Sequence, residues 1–268
     1  MDGKTAAELL TRIRSEKPVV HHITNYVTVN DCANITICAG ASPVMADSLD
    51  EVSEMVRIAG ALVLNIGTLN RELVESMLVA GKTANELGIP IILDPVGVGA
   101  TELRTKSAVK LTEQLDISVI KGNAGEIGIL SGAKATVRGV DSGSLDEDRL
   151  QVAVKCSNLT GVVVAMSGEK DIVTDGKIVY SVENGHSLMG NLSGTGCMAS
   201  SLSGAFAAVS DSYLESTASA LALFGLCGEK ASVYAKGPYS FRTGLCDELF
   251  RLKPVELSVD AKIKDISL

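Results

Sequence analysis

Four short apolar segments recur along the first two thirds of the chain, and each is followed by polar or glycine-rich residues. They are residues 61–66 (ALVLNI), 90–93 (PIIL), 117–120 (ISVI) and 162–166 (VVVAM). Their apolar residues do not alternate with polar ones, which is typical of strands buried on both faces. Helical segments separate them, two of which follow the potential N-cap residues Asn70 and Thr101. This order predicts a parallel sheet with right-handed crossovers, to which residues 18–24 and 43–45 add two strands.

The pattern changes after residue 166. Residues 171–184 (DIVTDGKIVYSVEN) hold Asp175-Gly176 between two alternating runs, which predicts a β-hairpin. Residues 195 to about 250 predict helices rich in Ala, Gly and Ser, and residues 1–18 predict a charged amphipathic helix rather than a signal peptide. Since there is no linker, repeat or low-complexity tract, we expect a single domain over residues 1–268.

Composition narrows the possible partners. The 268 residues are 46% hydrophobic but only 3% aromatic, so the core must be aliphatic, and the net charge of −8 without a basic cluster argues against nucleic acid. The apolar runs are too short to span a bilayer, which argues against a membrane protein. The six cysteines form no CxxC pair and no zinc spacing, which predicts a reducing, cytoplasmic location.

Polar residues that could bind a ligand follow each of the four apolar runs. They are Gly67-Thr68, Asp94–Gly99, Lys121–Glu126 and Ser167–Glu169. Because ligands of open α/β sheets bind at the carboxyl ends of the parallel strands, we expect these residues to lie along one edge. Each also has an ordinary structural role when taken alone: Asp94-Pro95 can start a turn, Glu126 can lie exposed in a first helical turn, and Cys197 can be a small buried residue.

Together these residues suit phosphoryl transfer, which needs positive charge and hydrogen-bond donors around the moving phosphate. The turn at residues 193–196 (SGTG) opens a predicted helix whose first N–H groups would bind an anion. Asp94 and Glu126 offer oxygen ligands for Mg²⁺, and Lys121 can pair with phosphate oxygens. No GxxxxGK[ST] segment is present, so the chain is not a P-loop enzyme.

Several motifs closely resemble those of hydroxyethylthiazole kinases, which belong to the ribokinase-like superfamily. They are residues 19–47 (VVHHITNYVTVNDCANITICAGASPVMAD), 64–70 (LNIGTLN), 92–101 (ILDPVGVGAT), 121–127 (KGNAGEI), 167–173 (SGEKDIV), 184–186 (NGH) and 193–197 (SGTGC). The resemblance implies a three-layer αβα fold with a mostly parallel central sheet. It also implies a Mg²⁺- and ATP-dependent kinase that phosphorylates the alcohol of 4-methyl-5-(2-hydroxyethyl)thiazole in thiamine salvage, and a homotrimer with active sites between subunits.

By position, the resemblance assigns roles to individual residues. Met45 and Gly194 should contact the thiazole, with Asn25 nearby. Lys121 and Ser167 should contact ATP, while Asp94 and Glu126 should serve the magnesium. The family often has Arg at position 121 and Thr at position 167; Lys keeps the charge but loses the bidentate fork, and Ser keeps the hydroxyl. No role follows for the neighbouring residues His21 and His22.

Cys197 is the residue that most needs an explanation, because related kinases place a carboxylate at this position. At a helix N-terminus its thiol should have a lowered pKa, since the partial positive charge there favours the thiolate. It would then act as a catalytic base or proton relay for the substrate hydroxyl. The other interpretation is a spacer whose size matters, with the anion hole supplying most of the catalysis.

Three other functions remain open from the sequence. Another ribokinase-like enzyme, such as a hydroxymethylpyrimidine kinase or a nucleotide-dependent dehydratase of hydrated nicotinamide, would share the glycine-rich anion hole. A cysteine hydrolase would need one of His21, His22 or His186 to activate the Cys197 thiol. A metabolite-binding protein without catalytic activity would bind its ligand and form no ADP.

Overall fold

The computed structural model describes residues 2–133, 135–138, 142–145 and 148–267. The helices in these ranges are α1 (Gly3–Glu16), α2 (Val29–Ala39), α3 (Val52–Val56), α4 (Arg71–Leu87), α5 (Glu102–Gln114), α6 (Ala124–Leu130), α7 (Arg149–Thr160), α8 (Thr195–Ala207), α9 (Tyr213–Ser232), α10 (Pro238–Arg251) and α11 (Pro254–Asp260). A 3₁₀ helix covers Ser187–Asn191. None of these helices combines the length and the apolar character needed to cross a membrane.

The strands form one large sheet and one small one. They are β1 (Val19–Ile23), β2 (Ser42–Val44), β3 (Ala61–Asn65), β4 (Ile91–Asp94), β5 (Val119–Asn123), β6 (Ala135–Arg138), β7 (Ser142–Leu145), β8 (Val163–Ser167), β9 (Asp171–Thr174), β10 (Val179–Val182) and β11 (Ile263–Asp265). The large sheet has the order β11-β10-β9-β8-β5-β4-β3-β1-β2, and β6 pairs with β7. From β2 to β8 neighbouring strands are parallel, and β9, β10 and β11 continue the sheet antiparallel.

Both faces of the sheet are covered by helices, which gives the expected three-layer αβα fold. One apolar cluster joins α1, α2, α8, α9, α10 and α11 to side chains such as Val63 and Ile92. The other joins α3 to α7 to side chains such as Leu62, Leu64 and Leu93. Because successive side chains of a strand point to opposite faces, an uninterrupted apolar run supplies both clusters. The predicted doubly covered parallel sheet is therefore confirmed.

The predicted strands are confirmed with shifts of one to three residues at their ends. The largest shift concerns residues 117–120, where β5 covers Val119–Asn123 instead. Pairing with β8 continues past the apolar residues, because Lys121 pairs with Ala165 and Asn123 pairs with Ser167. Lys121 was expected after the strand and lies inside it.

The predicted local signals also form. Asn70 Oδ1 accepts from the Leu73 N–H at 2.8 Å, and Thr101 Oγ1 accepts from the Arg104 N–H at 3.3 Å, so both residues cap their helices. The β9–β10 hairpin turns at Gly176, whose φ of 89° is in the left-handed region that glycine adopts without strain. These local signals fix where the elements start and turn.

Candidate active site

The carboxyl ends of four neighbouring strands meet at one edge of the sheet, as the sequence predicted. Asn65 at the end of β3 pairs with Asp94 at the end of β4, and Asn123 of β5 pairs with Ser167 of β8. A cavity of about 510 Å³ opens here. We call it the first cavity, and its lining includes Asn25, Thr28, Asp94, Glu126, residues 193–196 and Cys197.

Helix α8 begins at this cavity, and two glycines make its start possible. Gly194 has a φ of 93°, and a Cβ there would lie 2.6 Å from Thr28 Cγ2. A Cβ at Gly196 would lie 3.0 Å from Lys121 Nζ. The first N–H groups of a helix have no acceptor within the helix, and residues 194–197 line the cavity. The start of α8 can therefore bind an anion.

Two asparagine side chains connect the strand ends to Cys197. Asn25 Nδ2 donates to Asn65 Oδ1 at 3.0 Å, and Asn65 Nδ2 donates to Asp94 Oδ2 at 3.0 Å. Both Nδ2 groups also lie within hydrogen-bond distance of Cys197 Sγ, at 3.4 Å from Asn25 and 3.2 Å from Asn65. Sequence reasoning missed Asn65, for which the one available signal was a polar residue inside the apolar run 61–66.

The Cys197 thiol is more weakly acidic than predicted. Burial raises its pKa, and the negative charge of Asp94 raises it further. Hydrogen bonds and the positive charge of Lys121 act in the opposite direction but do not outweigh these effects. The predicted lowering of the thiol pKa is therefore wrong, because burial of the sulfur and the negative charge of Asp94 both favour the neutral thiol. The thiol is protonated at neutral pH.

Asp94 and Glu126 are buried carboxyl groups on the same wall of the first cavity. Burial raises the pKa of Glu126 to about 7, and the charge of Asp94 contributes to this rise. Burial also raises the pKa of Asp94, against the effects of Lys121, Ser200 and Asn65. A cation placed between the two groups would stabilise the charged form of both carboxylates and lower their pKa values.

The two carboxyl groups differ in how the protein holds them. Glu126 Oε1 accepts from the Gly97 N–H at 2.8 Å and Oε2 accepts from the Asn123 N–H at 2.7 Å, which completes a capping box at the start of α6. Asp94 Oδ2 accepts from the Ser200 hydroxyl at 2.7 Å in addition to Asn65. Within the described residues, Asp94 Oδ1 accepts no side-chain hydrogen bond and remains available to a ligand.

A second, larger cavity of about 940 Å³ adjoins the first. We call it the second cavity, and its lining includes Arg149, residues 167–169, Asp171, residues 184–187, Leu221, Phe224 and Gly225. Lys121, Ser167, Thr195 and Gly196 line both cavities. Lys121 Nζ donates to the Gly196 carbonyl at 3.0 Å, and the Ser167 hydroxyl donates to the Gly122 carbonyl at 3.2 Å. The two cavities are thus parts of one cleft with a shared cationic wall.

Two backbone segments form much of the second cavity, and side chains behind them fix their positions. The Gly168 N–H donates to Asp171 Oδ1 at 2.9 Å, and burial raises the pKa of Asp171 to about 6. In the other segment, Asn184 Nδ2 and the Gly185 N–H both donate to Glu229 Oε1, at 3.3 Å and 3.1 Å. Sequence reasoning missed these supporting residues.

Met45 is the predicted substrate residue that the structure does not bring to the cleft. It follows β2 at the outer edge of the sheet, is half-buried, and does not line either cavity. Of the other predicted site residues, Asn25, Asp94, Lys121, Glu126, Ser167, Gly194 and Cys197 all line the cleft.

The histidines do not contact Cys197. His21 Nε2 lies 2.7 Å from the Ala46 carbonyl, and His22 Nδ1 lies 3.0 Å from the Val20 carbonyl. Burial lowers the pKa of His22 to about 4, so this imidazole is neutral. His186 Nδ1 accepts from the Leu188 N–H, which caps the 3₁₀ helix. All three have structural contacts of their own.

Two further thiols lie together away from the cleft. Cys38 of α2 and Cys246 of α10 are half-buried, and the interaction between the two thiols lowers the pKa of Cys38 and raises that of Cys246. Neither lines the first or the second cavity.

Comparison with known proteins gives consistent matches. Residues 10–255 match the hydroxyethylthiazole kinase family. A hydroxyethylthiazole kinase from Methanocella arvoryzae is 59% identical over 264 residues, covering 98% of this chain and 99% of that protein. The structure of a hydroxyethylthiazole kinase protein from Pyrococcus horikoshii OT3 is 41% identical, with a TM-score of 0.89 over 98% of this chain and 99% of that one. A ribokinase-like superfamily protein from Enterococcus faecalis V583, 13% identical, has the same fold (TM-score 0.66; 95% of each chain).

Proposed function

The chain belongs to the hydroxyethylthiazole kinase family, and we propose that the cleft formed by its two cavities is the active site. The enzyme transfers a phosphoryl group from ATP to the alcohol of 4-methyl-5-(2-hydroxyethyl)thiazole, a step of thiamine salvage. One observation carries the assignment of the site: the start of α8 meets Lys121 at the wall shared by the two cavities, and Asp94 and Cys197 line the first cavity next to the same helix start. Anion-binding groups, oxygen ligands and a proton-carrying group are thus side by side.

The first cavity takes the alcohol, and the second takes the nucleotide. Asn25 and Gly194 contact the thiazole in the first cavity. Lys121 and Ser167 contact ATP, which is supported by their position on the wall that both cavities share. The γ-phosphate then lies at this wall, where the N–H groups of α8 and the Lys121 ammonium stabilise the negative charge on the transferred group.

The oxygen donors of the first cavity fit magnesium. Asp94 and Glu126 are hard oxygen ligands, and the rise in pKa that each undergoes on burial would be reversed by a cation. No group of three or more His, Cys, Asp or Glu side chains in the described ranges could form a metal cage. This suits Mg²⁺, which is commonly held by one or two carboxylates together with substrate phosphates. When bound, the ion neutralises charge on the phosphates.

Cys197 serves as a proton relay for the substrate hydroxyl. Because the thiol is protonated, its sulfur accepts the hydroxyl proton as its own proton passes to an oxygen of the transferred phosphoryl group. The amide N–H groups of Asn25 and Asn65 lie against the sulfur and stabilise the negative charge that it carries during this transfer. The transition state of phosphoryl transfer is loose, so the hydroxyl loses its proton late and a weakly acidic thiol suffices. A spacer role, in which the anion hole supplies most of the catalysis, is the second candidate.

We further propose a single cytoplasmic domain that assembles as a homotrimer. In the described chain Met45 is half-buried and outside both cavities, so it reaches a thiazole only if a neighbouring subunit presents it to the first cavity. A cyclic assembly allows this geometry. Light scattering at micromolar concentration should give the mass of three chains, and a monomer mass would contradict the assembly. Mixing Met45 variants with Gly194 variants should restore activity only in a shared site.

The cysteine hydrolase is wrong for this site. Such an enzyme needs a histidine to activate the thiol, whereas the described side chains that bond to Cys197 Sγ are amides. The family match also removes the dehydratase and the pyrimidine kinase. A binding protein without catalytic activity would leave the carboxylates and the thiol around the anion site without a role.

The deciding experiment is a coupled assay of ADP release with a panel of alcohols: the thiazole alcohol, hydroxymethylpyrimidine and pyridoxal. We expect ADP release only with Mg²⁺, and most with the thiazole alcohol. Chelation of the metal by EDTA should abolish turnover, and added Mg²⁺ should restore it. A folded protein that releases no ADP above background with the thiazole alcohol would contradict the proposal.

A further inference from the structure

Positive charge is scarce in the cleft. Among the described residues that line the two cavities, Lys121 and Arg149 are the only Lys or Arg side chains, while Asp94, Glu126, Glu169 and Asp171 are acidic. The Lys121 ammonium already donates to the Gly196 carbonyl at the shared wall. Hydrogen bonds from a cationic side chain to phosphate are stronger than neutral ones, so a second cation in the cleft would strengthen polyphosphate binding. Arg149 is the side chain that can supply a second.

Arg149 is attached to the wall of the second cavity. It is the first residue of α7, and its Nη2 donates to the carbonyl of Ser167 at 3.3 Å and to that of Lys170 at 3.1 Å. These two carbonyls belong to the turn that joins β8 to β9 and carries the Ser167 hydroxyl. The guanidinium therefore lies directly against the segment that we place at the nucleotide.

The absence of a side chain at residue 168 makes this position possible. A Cβ there would lie 2.3 Å from Nη2, 2.8 Å from Cζ and 2.9 Å from Nη1 of Arg149. The planar group thus lies on the glycine backbone. Its buried Nε has no hydrogen-bond partner in the described ranges. In the described part of the chain, protein acceptors therefore bond to Nη2 alone, so the guanidinium is only partly satisfied by the protein.

We propose that Arg149 is a phosphate-binding residue of the nucleotide site, and this rests on the proposed function of the second cavity. Its Nη1 N–H groups face the phosphates from the side of the turn, while Nη2 holds residues 167–170 in place. Because Nη2 is engaged by two carbonyls and Nε is buried, Nη1 is the nitrogen that Arg149 offers to phosphate oxygens, as a second cationic contact beside Lys121.

The test compares ligands with and without phosphate. The affinities of ADP and of adenosine are measured by calorimetry for the wild type, Arg149→Gln and Arg149→Lys. Lys155→Gln is the matched control, since Lys155 lies exposed on the same helix and lines neither cavity. KM for ATP, KM for the thiazole alcohol and kcat are measured in parallel, and thermal unfolding shows whether each variant is folded.

We expect Arg149→Gln to weaken ADP binding about 10- to 100-fold, the usual effect of losing a hydrogen bond to a charged group, and to change adenosine binding less than threefold. KM for ATP should rise by a similar factor while KM for the alcohol stays constant. The ADP affinity of Arg149→Lys should lie between those of the wild type and Arg149→Gln.

Equal losses for ADP and adenosine, or unchanged ADP binding, would overturn the inference. The ratio of the ADP affinity to the adenosine affinity distinguishes these outcomes, and either Arg149 variant that folds is sufficient for the test. If the wild type bound no ADP, the proposed function would fail and the inference with it. Suppose that the wild type binds ADP and phosphorylates the alcohol, and that Arg149→Gln has the same ratio of ADP affinity to adenosine affinity. This result would refute the phosphate-binding role of Arg149 and leave the proposed function intact.

Discussion

The two cavities share a wall, but the protein builds them in different ways. In the first cavity, buried polar side chains bond to one another: Asn25, Asn65, Asp94 and Cys197 form one connected network. In the second cavity, backbone segments form much of the lining, and the carboxylates of Asp171 and Glu229 hold these segments in place.

This difference separates chemistry from binding. We propose that Asp94, Glu126 and Cys197 in the first cavity bind the metal or transfer the proton, so their loss should lower kcat. Loss of a side chain that binds the nucleotide or supports the second cavity should instead raise KM for ATP and leave kcat nearly unchanged. Kinetic experiments on Asp94, Glu126, Cys197, Gly168 and Glu229 test this division, and an unfolding experiment tests the strand that leads to the first cavity.

Loss of Asp94 should have the largest effect. Asp94→Ala removes the carboxyl group whose Oδ1 is available to a ligand, and we expect kcat to fall at least ~100-fold because magnesium loses an oxygen ligand. Glu126→Ala should also lose most activity, with a further loss of roughly 1 kcal/mol of stability from the broken capping box. Steady-state rates across a Mg²⁺ titration measure both. A variant with the Mg²⁺ dependence of the wild type would show that its residue is not at the metal.

Cys197 comes next. Cys197→Ala should lower kcat ~100-fold, at the lower end of what a positioned proton acceptor contributes, with little change in KM for ATP. Cys197→Asp should remain active, because a carboxylate accepts the same proton. An unchanged kcat in Cys197→Ala would leave only the spacer role. An inactive but folded Cys197→Asp would mean that the cavity requires a neutral side chain.

The strand behind the first cavity should make stability depend on pH. The pKa of His22 falls from 6.5 to about 4 on burial, so the unfolded chain binds more protons than the folded chain between these values. Stability therefore rises with pH across this window, and between pH 7 and pH 5 this residue should cost about 2 kcal/mol, or roughly 30-fold in the unfolding equilibrium. Urea unfolding of the wild type and His22→Leu at both pH values isolates this contribution. Parallel losses in the two proteins would contradict it.

Gly168→Ala tests the second cavity. The added Cβ would meet the Arg149 guanidinium at 2.3–2.9 Å and displace it. KM for ATP should rise roughly 10-fold, the effect of one lost charge-assisted bond, while kcat changes less than threefold. Gly237→Ala is the control, since a Cβ there meets nothing within 4 Å. A fall in kcat with constant KM would break the division between the cavities.

Glu229→Gln should have the smallest effect. It removes the charge that pairs with Lys262 at 2.9 Å but keeps an oxygen that accepts from Asn184 and the Gly185 N–H. Since exposed ion pairs contribute only up to ~1 kcal/mol, KM for ATP should rise no more than about fivefold. Glu16→Gln, which breaks the exposed Arg12 pair on α1, should leave KM constant. A large loss of kcat in Glu229→Gln would assign Glu229 a direct role.

The sequence predicted the sheet well because its signals are local. Uninterrupted apolar runs mark strands buried on both faces, and polar residues directly after such runs lie at the carboxyl edge wherever the strands are parallel. This logic brought Asp94, Glu126 and Ser167 to one place before any contact was known. The exact end of β5 was not predictable, since its last pairs depend on β8, 44 residues further on.

Other features depend on contacts between residues far apart in sequence. Arg149 reaches the cleft only because α7 packs beside the turn after β8, and no pattern around residue 149 indicates this. The acidity of Cys197 was predicted in the wrong direction because burial is a property of the folded chain, whereas the helix start was visible in the sequence. Met45 remains assigned by resemblance, since a single chain does not bring it to the cleft.

The paired thiols of Cys38 and Cys246 have a practical consequence for chemical labelling. Alkylating reagents attack thiolates, and both cysteines are partly buried, but the pKa of Cys38 is lowered whereas the pKa of Cys197 is raised. Iodoacetamide should therefore modify the contact between α2 and α10 before it modifies the cleft. Loss of activity during brief alkylation would report on that distant contact, and the modified cysteine must be identified by peptide mapping before any labelling result is assigned to catalysis.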